Sequence, residues 1–127
     1  MGTSFTFHKL EKLAHKPSID AIFQKKGQAI FNPPILFIYL KQELQTPFPC
    51  QVLVSVGKKK FKRAVDRNRI KRQITDVYRL HKHRIYDKIT DESKYAIGII
   101  YLSDDRPDFA MLQNKIIKSI DEFIERI

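Results

Sequence analysis

The stretch between residues 51 and 102 constrains the fold more than any other part of this chain. It opens with a valine-rich run over 51–56 and closes with an apolar run over 95–102 that is broken only by Gly98. Short apolar runs of this length, bounded by polar or basic turns, read as strands. The second has no polar alternation, as expected of a central strand covered on at least one face. Between them, Ile70, Ile74, Val77 and Tyr78 recur at the spacing of one helical face, which predicts a helix over 64–83. The three segments make a βαβ unit, so a sheet with a helix packed against it is the first requirement of the fold.

The rest of the chain fits around that unit. Pro17 pre-sets a first turn, Ile19, Ile22 and Phe23 fall at i, i+3 and i+4, and Gly27 suits a C-terminal stop, giving a short helix over 18–26. Residues 28–31 and 35–40 read as strands separated by Pro33-Pro34, a pair that cannot sit inside a central ladder. A loop with Pro47 and Pro49 covers 41–49, and 103–108 is a polar turn. Phe109, Leu112, Ile116, Ile120, Phe123, Ile124 and Ile127 mark a final amphipathic helix. The predicted order is α-β-β-β-α-β-α: an α/β two-layer sandwich on a four-stranded sheet, one sheet face less fully covered than the other. At 127 residues and 43% hydrophobic content this is one domain, with residues 1–12 as a candidate flexible tail. The N-terminus lacks signal-peptide features, no run reaches the ~20 apolar residues of a membrane span, and the single cysteine, Cys50, has no intramolecular partner. A cytoplasmic protein with no membrane association and no evident obligate protein partner is expected.

Charge is distributed unevenly. Residues 57–84 hold twelve Lys or Arg against two acids, Asp66 and Asp76, which accounts for the entire net charge of +10. Such a footprint calls for a polyanion. Arg67, Arg69 and Arg72 offer planar forks for phosphate oxygens and bases, whereas Lys58, Lys59, Lys60, Lys62, Arg63 and Lys71 supply further positive charge along a backbone. Asn68, between two arginines, both donates and accepts. Nucleic acid fits better than a membrane, because no large apolar helix face accompanies the charge; the plainer alternative is a solvated basic face. On the predicted helix Arg69, Arg72 and Arg79 point away from the apolar stripe, Asn68 and Lys71 flank it, and Arg67 falls near the apolar azimuth and must turn out along the sheet edge.

Little else carries chemistry. His81 and His83 are two apart on a helix and point in different directions, which disfavours joint metal ligation. Asp104, Asp105 and Asp108 lack calcium-loop spacing and suit a turn and a helix start. No Walker loop, Cys/His set or Ser–His–Asp arrangement is visible, and no catalytic residue is assigned.

The block Arg67-Asn68-Arg69-Ile70-Lys71-Arg72 resembles the Arg-Asn-Arg helix of the bacterial ribonuclease P protein family. The likeness extends to Ser55-Val56-Gly57-Lys58-Lys59 before it, to the apolar strand and amphipathic helix after it, and to Leu13, 19–23 and Gly27 near the N-terminus. The resemblance implies a left-handed βαβ crossover, against the usual right-handed rule. It also implies a subunit that binds a catalytic RNA through the Arg-Asn-Arg helix and assists endonucleolytic removal of the 5′ leader from precursor tRNA. Mg²⁺ is then held mainly by the RNA, and the leader lies in a cleft between the first helix and the sheet. Phe23, Ile19, Tyr39 and Phe37 are the candidate cleft residues. Phe37 and Tyr39 share one face of their strand, and the sequence leaves open whether that face or the one bearing Leu36, Ile38 and Leu40 lines the cleft; the Tyr39 hydroxyl favours the former. The chain departs from the family where Ile19 replaces a usual phenylalanine, where Thr75 replaces a common arginine, and where 58–63 is longer and more basic. A structural or ribosome-associated RNA-binding protein is the alternative. A stand-alone metal-dependent nuclease is disfavoured by the missing carboxylate constellation.

Overall fold

β3 (Cys50–Val56) and β4 (Tyr95–Tyr101) pair in parallel, in register from Cys50 opposite Tyr95 to Val56 opposite Tyr101. A parallel pair cannot be joined by a hairpin; here α2 (Ala64–Lys88) makes the return. The computed structural model describes residues 6–24, 26–57 and 61–127. Its other elements are a 3₁₀ turn (Lys9–Glu11), α1 (Lys16–Phe23), β1 (Gln28–Asn32), β2 (Ile35–Lys41) and α3 (Phe109–Arg126). The sheet order is β1-β2-β4-β3, with both β2 pairings antiparallel. The predicted fold class and element order are those observed. α2 runs on to Lys88 rather than stopping at residue 83, because Ile85 continues its buried stripe.

Side-chain alternation divides the core in two. Val52, Val56, Tyr95, Ile97, Ile99, Tyr101, Ile35 and Phe37 face α2 and α3, where they meet Ile70, Ile74, Val77, Tyr78, Ile116, Ile120 and Phe123. On the opposite face Ile38 and Ala96 meet Leu13 and Ile22, with Ile19, Leu36, Leu53 and Ile100 around them. That second face is covered by α1, the segment before it and Leu44 of the loop after β2. α1 approaches closely because β4 offers a glycine beneath it: a Cβ on Gly98 would lie 2.6 Å from Ile22 Cγ2.

Three expectations change. Phe37 and Tyr39 do not look into the α1 side. Phe37 is fully buried, its ring 5.4 Å from that of Phe123, and the Tyr39 ring is 4.8 Å from Phe123. Their partners across β4, Ile99 and Ile97, face the α2–α3 layer, so register commits both aromatics to it. Gly27 is not a left-handed helix cap, since no described glycine has positive φ; its Cβ would sit 2.3 Å from the Tyr39 carbonyl oxygen, so it permits close chain approach instead. Lastly, residues 6–12 of the expected tail are fastened down. Leu13 N–H donates to Val52 O at 3.0 Å, and Lys12 bridges to Val52 beside the sheet edge. Glu11 is buried against Lys82 of α2, whose Nζ donates to both carboxylate oxygens at 2.6 and 2.7 Å. Tyr86 Oη donates to the same carboxylate at 2.5 Å, His8 N–H donates to it at 2.8 Å, and Lys82 also donates to Thr6 O. Burying two charges is tolerated only when their hydrogen-bonding capacity is met this fully.

Candidate nucleic-acid interface

α2 begins without a side-chain cap from Arg63; Asp66 supplies the acid in its first turn. Just before it, Phe61 is buried with its ring 6.1 Å from Tyr101, anchoring the basic connection to the end of β4. Arg67 explains its awkward azimuth: its Nη1 donates to Phe61 O at 2.7 Å and Lys62 O at 2.9 Å, closing the connection onto the helix. Asn68, Arg69 and Arg72 are exposed, as are Lys62 and Arg63, while Lys71 is half-buried. Lys58, Lys59 and Lys60 lie outside the described residues.

The bases of α2 are sorted by position. In its C-terminal half Arg79 pairs with Asp76 at 3.7 Å, Lys82 with Glu11, and Arg84 with Asp121 of α3. In its N-terminal half no acid among the described residues pairs with Arg69, Lys71 or Arg72. The positive field is thereby concentrated at 62–72. Val65 shares that surface, apolar and exposed, at i, i+4 and i+7 to Arg69 and Arg72.

A further cation comes from another element. Arg106, in the turn before α3, donates from Nη2 to Asp66 Oδ1 at 3.2 Å. It lines a recess of about 190 Å³ with Asp66, Arg69, Ile70, Gln73 and Pro107. Sequence reasoning passed over Arg106 because it sits among Asp104, Asp105 and Asp108. Asp108 takes the helix-start role expected of it, its Oδ2 accepting from Met111 N–H at 3.3 Å.

A second surface lies on the face shared with α1. Cross-strand partners place Phe31, Leu36, Ile100 and Ser55 in one row across all four strands. Phe31 is 59% exposed, and Phe23 on α1 is 50% exposed. Of the four candidate cleft residues, Phe23 and Ile19 are on this side of the sheet and Phe37 and Tyr39 are not. Phe31 and Leu36 stand where those two were expected. The two-residue Pro33–Pro34 connection sets Asn32 opposite Ile35, which puts Phe31 beside Leu36 on one face.

His81 is held below the ordinary imidazole range by burial and by the charge of Arg84. Cys50, fully buried, has its thiol pushed up by burial. Tyr86 is likewise pushed up, by burial and by its bond to Glu11. None of the three belongs to either surface. Among the described residues no three His, Cys, Asp or Glu side chains are grouped to hold a metal ion, and no helix is long and apolar enough to cross a membrane.

The sequence profile of the family described as Ribonuclease P matches residues 7–123. The ribonuclease P protein component of Porphyromonas gingivalis is 35% identical over 118 residues, covering 92% of this chain and 85% of that protein. That of Idiomarina loihiensis is 44% identical over 66 residues, covering 46% of this chain and 50% of that protein. Among solved structures, the RNase P protein of Staphylococcus aureus superposes with a TM-score of 0.68 at 20% identity, covering 89% of this chain and 94% of its own. The RNase P protein of Thermotoga maritima gives 0.66 at 20% identity, covering 92% and 97%. The structural likeness speaks for the fold, and the family profile and the Porphyromonas gingivalis relative span most of its length: the chain belongs to the ribonuclease P protein family.

Proposed function

We propose that this chain is the protein subunit of a tRNA 5′-maturation endonuclease and that it binds two RNAs on two surfaces. The observation that carries this reading is the N-terminal half of α2, where Asn68, Arg69 and Arg72 are exposed and unpaired by acids on a member of the ribonuclease P protein family. Arg69, Arg72 and the flanking Lys62, Arg63 and Lys71 contact the catalytic RNA backbone, with Asn68 among them. Lys58, Lys59 and Lys60 extend that contact. Arg67 shapes it, since its Nη1 is committed to two carbonyls. The 5′ leader of precursor tRNA lies along the α1 side of the sheet, against Phe23, Phe31 and Leu36. Stacking on aromatics tolerates any base, which suits a leader of variable sequence.

The protein contributes position and electrostatics to phosphodiester hydrolysis and supplies no nucleophile. In this reading the catalytic Mg²⁺ is held mainly by the RNA; among the described residues no three His, Cys, Asp or Glu side chains are grouped as such a site would need. A cationic surface reduces repulsion between two RNAs, which strengthens substrate binding and lowers the Mg²⁺ requirement. Reconstitution tests this: protein, a bacterial ribonuclease P RNA and a 5′-extended tRNA at low Mg²⁺ should give single-site cleavage, and protein alone should leave the substrate intact. Cleavage by protein after nuclease pretreatment, or no gain over RNA alone, would overturn the proposal.

A further inference from the structure

Asp66 is out of place on a surface built to meet polyanions. Its carboxylate sits one residue before Arg67, within the most concentrated positive field of the chain, where it repels the ligand the surrounding residues attract. Its side chain is 19% exposed, against 71% for its partner Arg106, so it is tucked under the guanidinium rather than displayed. An ion pair with one arm this exposed contributes little to stability. A first-turn acid also favours the helix dipole, but that role does not require a partner drawn from forty residues away.

We infer that Asp66 is a positioning residue that holds Arg106 beside Arg69, and that the two guanidiniums frame a binding site for an RNA backbone phosphate. The geometry supports it from three sides. Arg106 and Arg69 come from different elements and line one recess. Gln73, one turn beyond Arg69, adds an amide donor to the same wall. Asp66 occupies one Nη of Arg106 and leaves the rest of its fork for an oxygen acceptor. Pro107, lining the recess next to Arg106, restricts the backbone from which that arginine projects. The inference rests on the proposed RNA-binding function and adds a site to it.

The experiment measures salt-dependent binding in two arms, with a bacterial ribonuclease P RNA and the protein, and with precursor tRNA and the assembled holoenzyme. Arg106→Ala should weaken binding several-fold and flatten the log K against log salt slope by about 0.7–0.9 in one arm, which identifies the RNA that supplies the phosphate. Asp66→Asn separates the two roles of the acid by sign. If Asp66 only repels RNA, its neutralisation tightens binding. If it positions Arg106, its neutralisation weakens binding, Asp66→Glu restores it, and the weakening disappears in an Arg106→Ala background. Thermal unfolding of each variant accompanies the titrations. Unchanged slope for folded Arg106→Ala in both arms, or tighter binding by folded Asp66→Asn, would overturn the inference. Arg69→Ala and Arg72→Ala run in parallel: if they weaken binding and Arg106→Ala does not, this site alone fails, whereas no effect from any of them refutes the RNA-binding surface itself.

Discussion

Replacing Phe31 with alanine should separate the proposed leader binding from folding, because the ring is exposed and on an edge strand. At 59% exposure, about two-fifths of the side chain is buried. Full burial of a phenylalanine is worth about 1.5–3 kcal/mol, so the loss of stability on truncation is about 0.6–1.2 kcal/mol, which a folded domain tolerates. If one leader base stacks on the ring, truncation costs about 1–3 kcal/mol of precursor binding, or about 5- to 150-fold in affinity. The assay is the ratio of dissociation constants for leader-bearing and mature tRNA, measured with holoenzyme at fixed salt; the ratio should fall for Phe31→Ala and for Phe23→Ala. Phe37→Ala is the contrasting control. That ring is fully buried against Phe123, and its loss should cost about 3–5 kcal/mol of stability with no leader-specific effect at temperatures where the fold survives. Folded Phe31→Ala and Phe23→Ala proteins that both keep the full ratio would refute the assignment of the leader to this side of the sheet.

Arg69→Ala should flatten the salt slope for catalytic-RNA binding by about 0.7–0.9 at unchanged unfolding temperature, whereas Arg67→Ala should also lose about 1–3 kcal/mol of stability because it frees two carbonyls; equal effects of the two on stability would contradict the geometry. Lys82→Met strands the Glu11 carboxylate in the interior and should cost about 3–5 kcal/mol in urea unfolding, with most of it restored when Glu11→Leu is added. Cys50 should resist a thiol reagent in the native state at mildly alkaline pH and react once denatured. Burial raises its folded pKa above the unfolded value, so its contribution to stability is complete below the ordinary thiol range and is lost as pH rises; fast labelling of the folded protein would show the site is open.

The strand–helix–strand unit and the final helix were legible because each buries a continuous stripe, and periodicity reports burial directly. Asn68, Arg69 and Arg72 were legible for the opposite reason: polar side chains off the buried stripe of the helix are left to solvent. The register of β2 was not legible. Residues 35–40 are apolar on both faces, so no alternation distinguishes the side of Phe37 from that of Leu36; the short Pro33–Pro34 connection and the bulk of Phe123 decide it. The docking of 6–13 was hidden because Glu11 and Lys82 stand seventy-one residues apart and no local pattern links them. Arg106 was hidden by the acids around it, and only the fold brings it to Asp66.

The two surfaces lie on opposite faces of the sheet yet at the same end of it. Ser55, which closes the row from Phe31, is two residues before Gly57, where β3 gives way to the basic connection. Ile100, its neighbour in the row, is two residues before Leu102, where β4 leads to the turn carrying Arg106. A parallel β3–β4 pair necessarily delivers both chain exits to one end of the sheet, and α2 follows from one of them. The row crosses three strand spacings of about 4.8 Å, roughly 14 Å in all, and ends at the strand whose exit carries the cationic motif. An RNA strand laid along the row from Phe31 toward β3 therefore runs toward the Arg-Asn-Arg turn of α2. The parallel crossover thus does more than close the sheet: it brings the row from Phe31 to Ser55 and the basic N-terminal half of α2 to one end of the molecule, the arrangement that the proposed binding of two RNAs calls for.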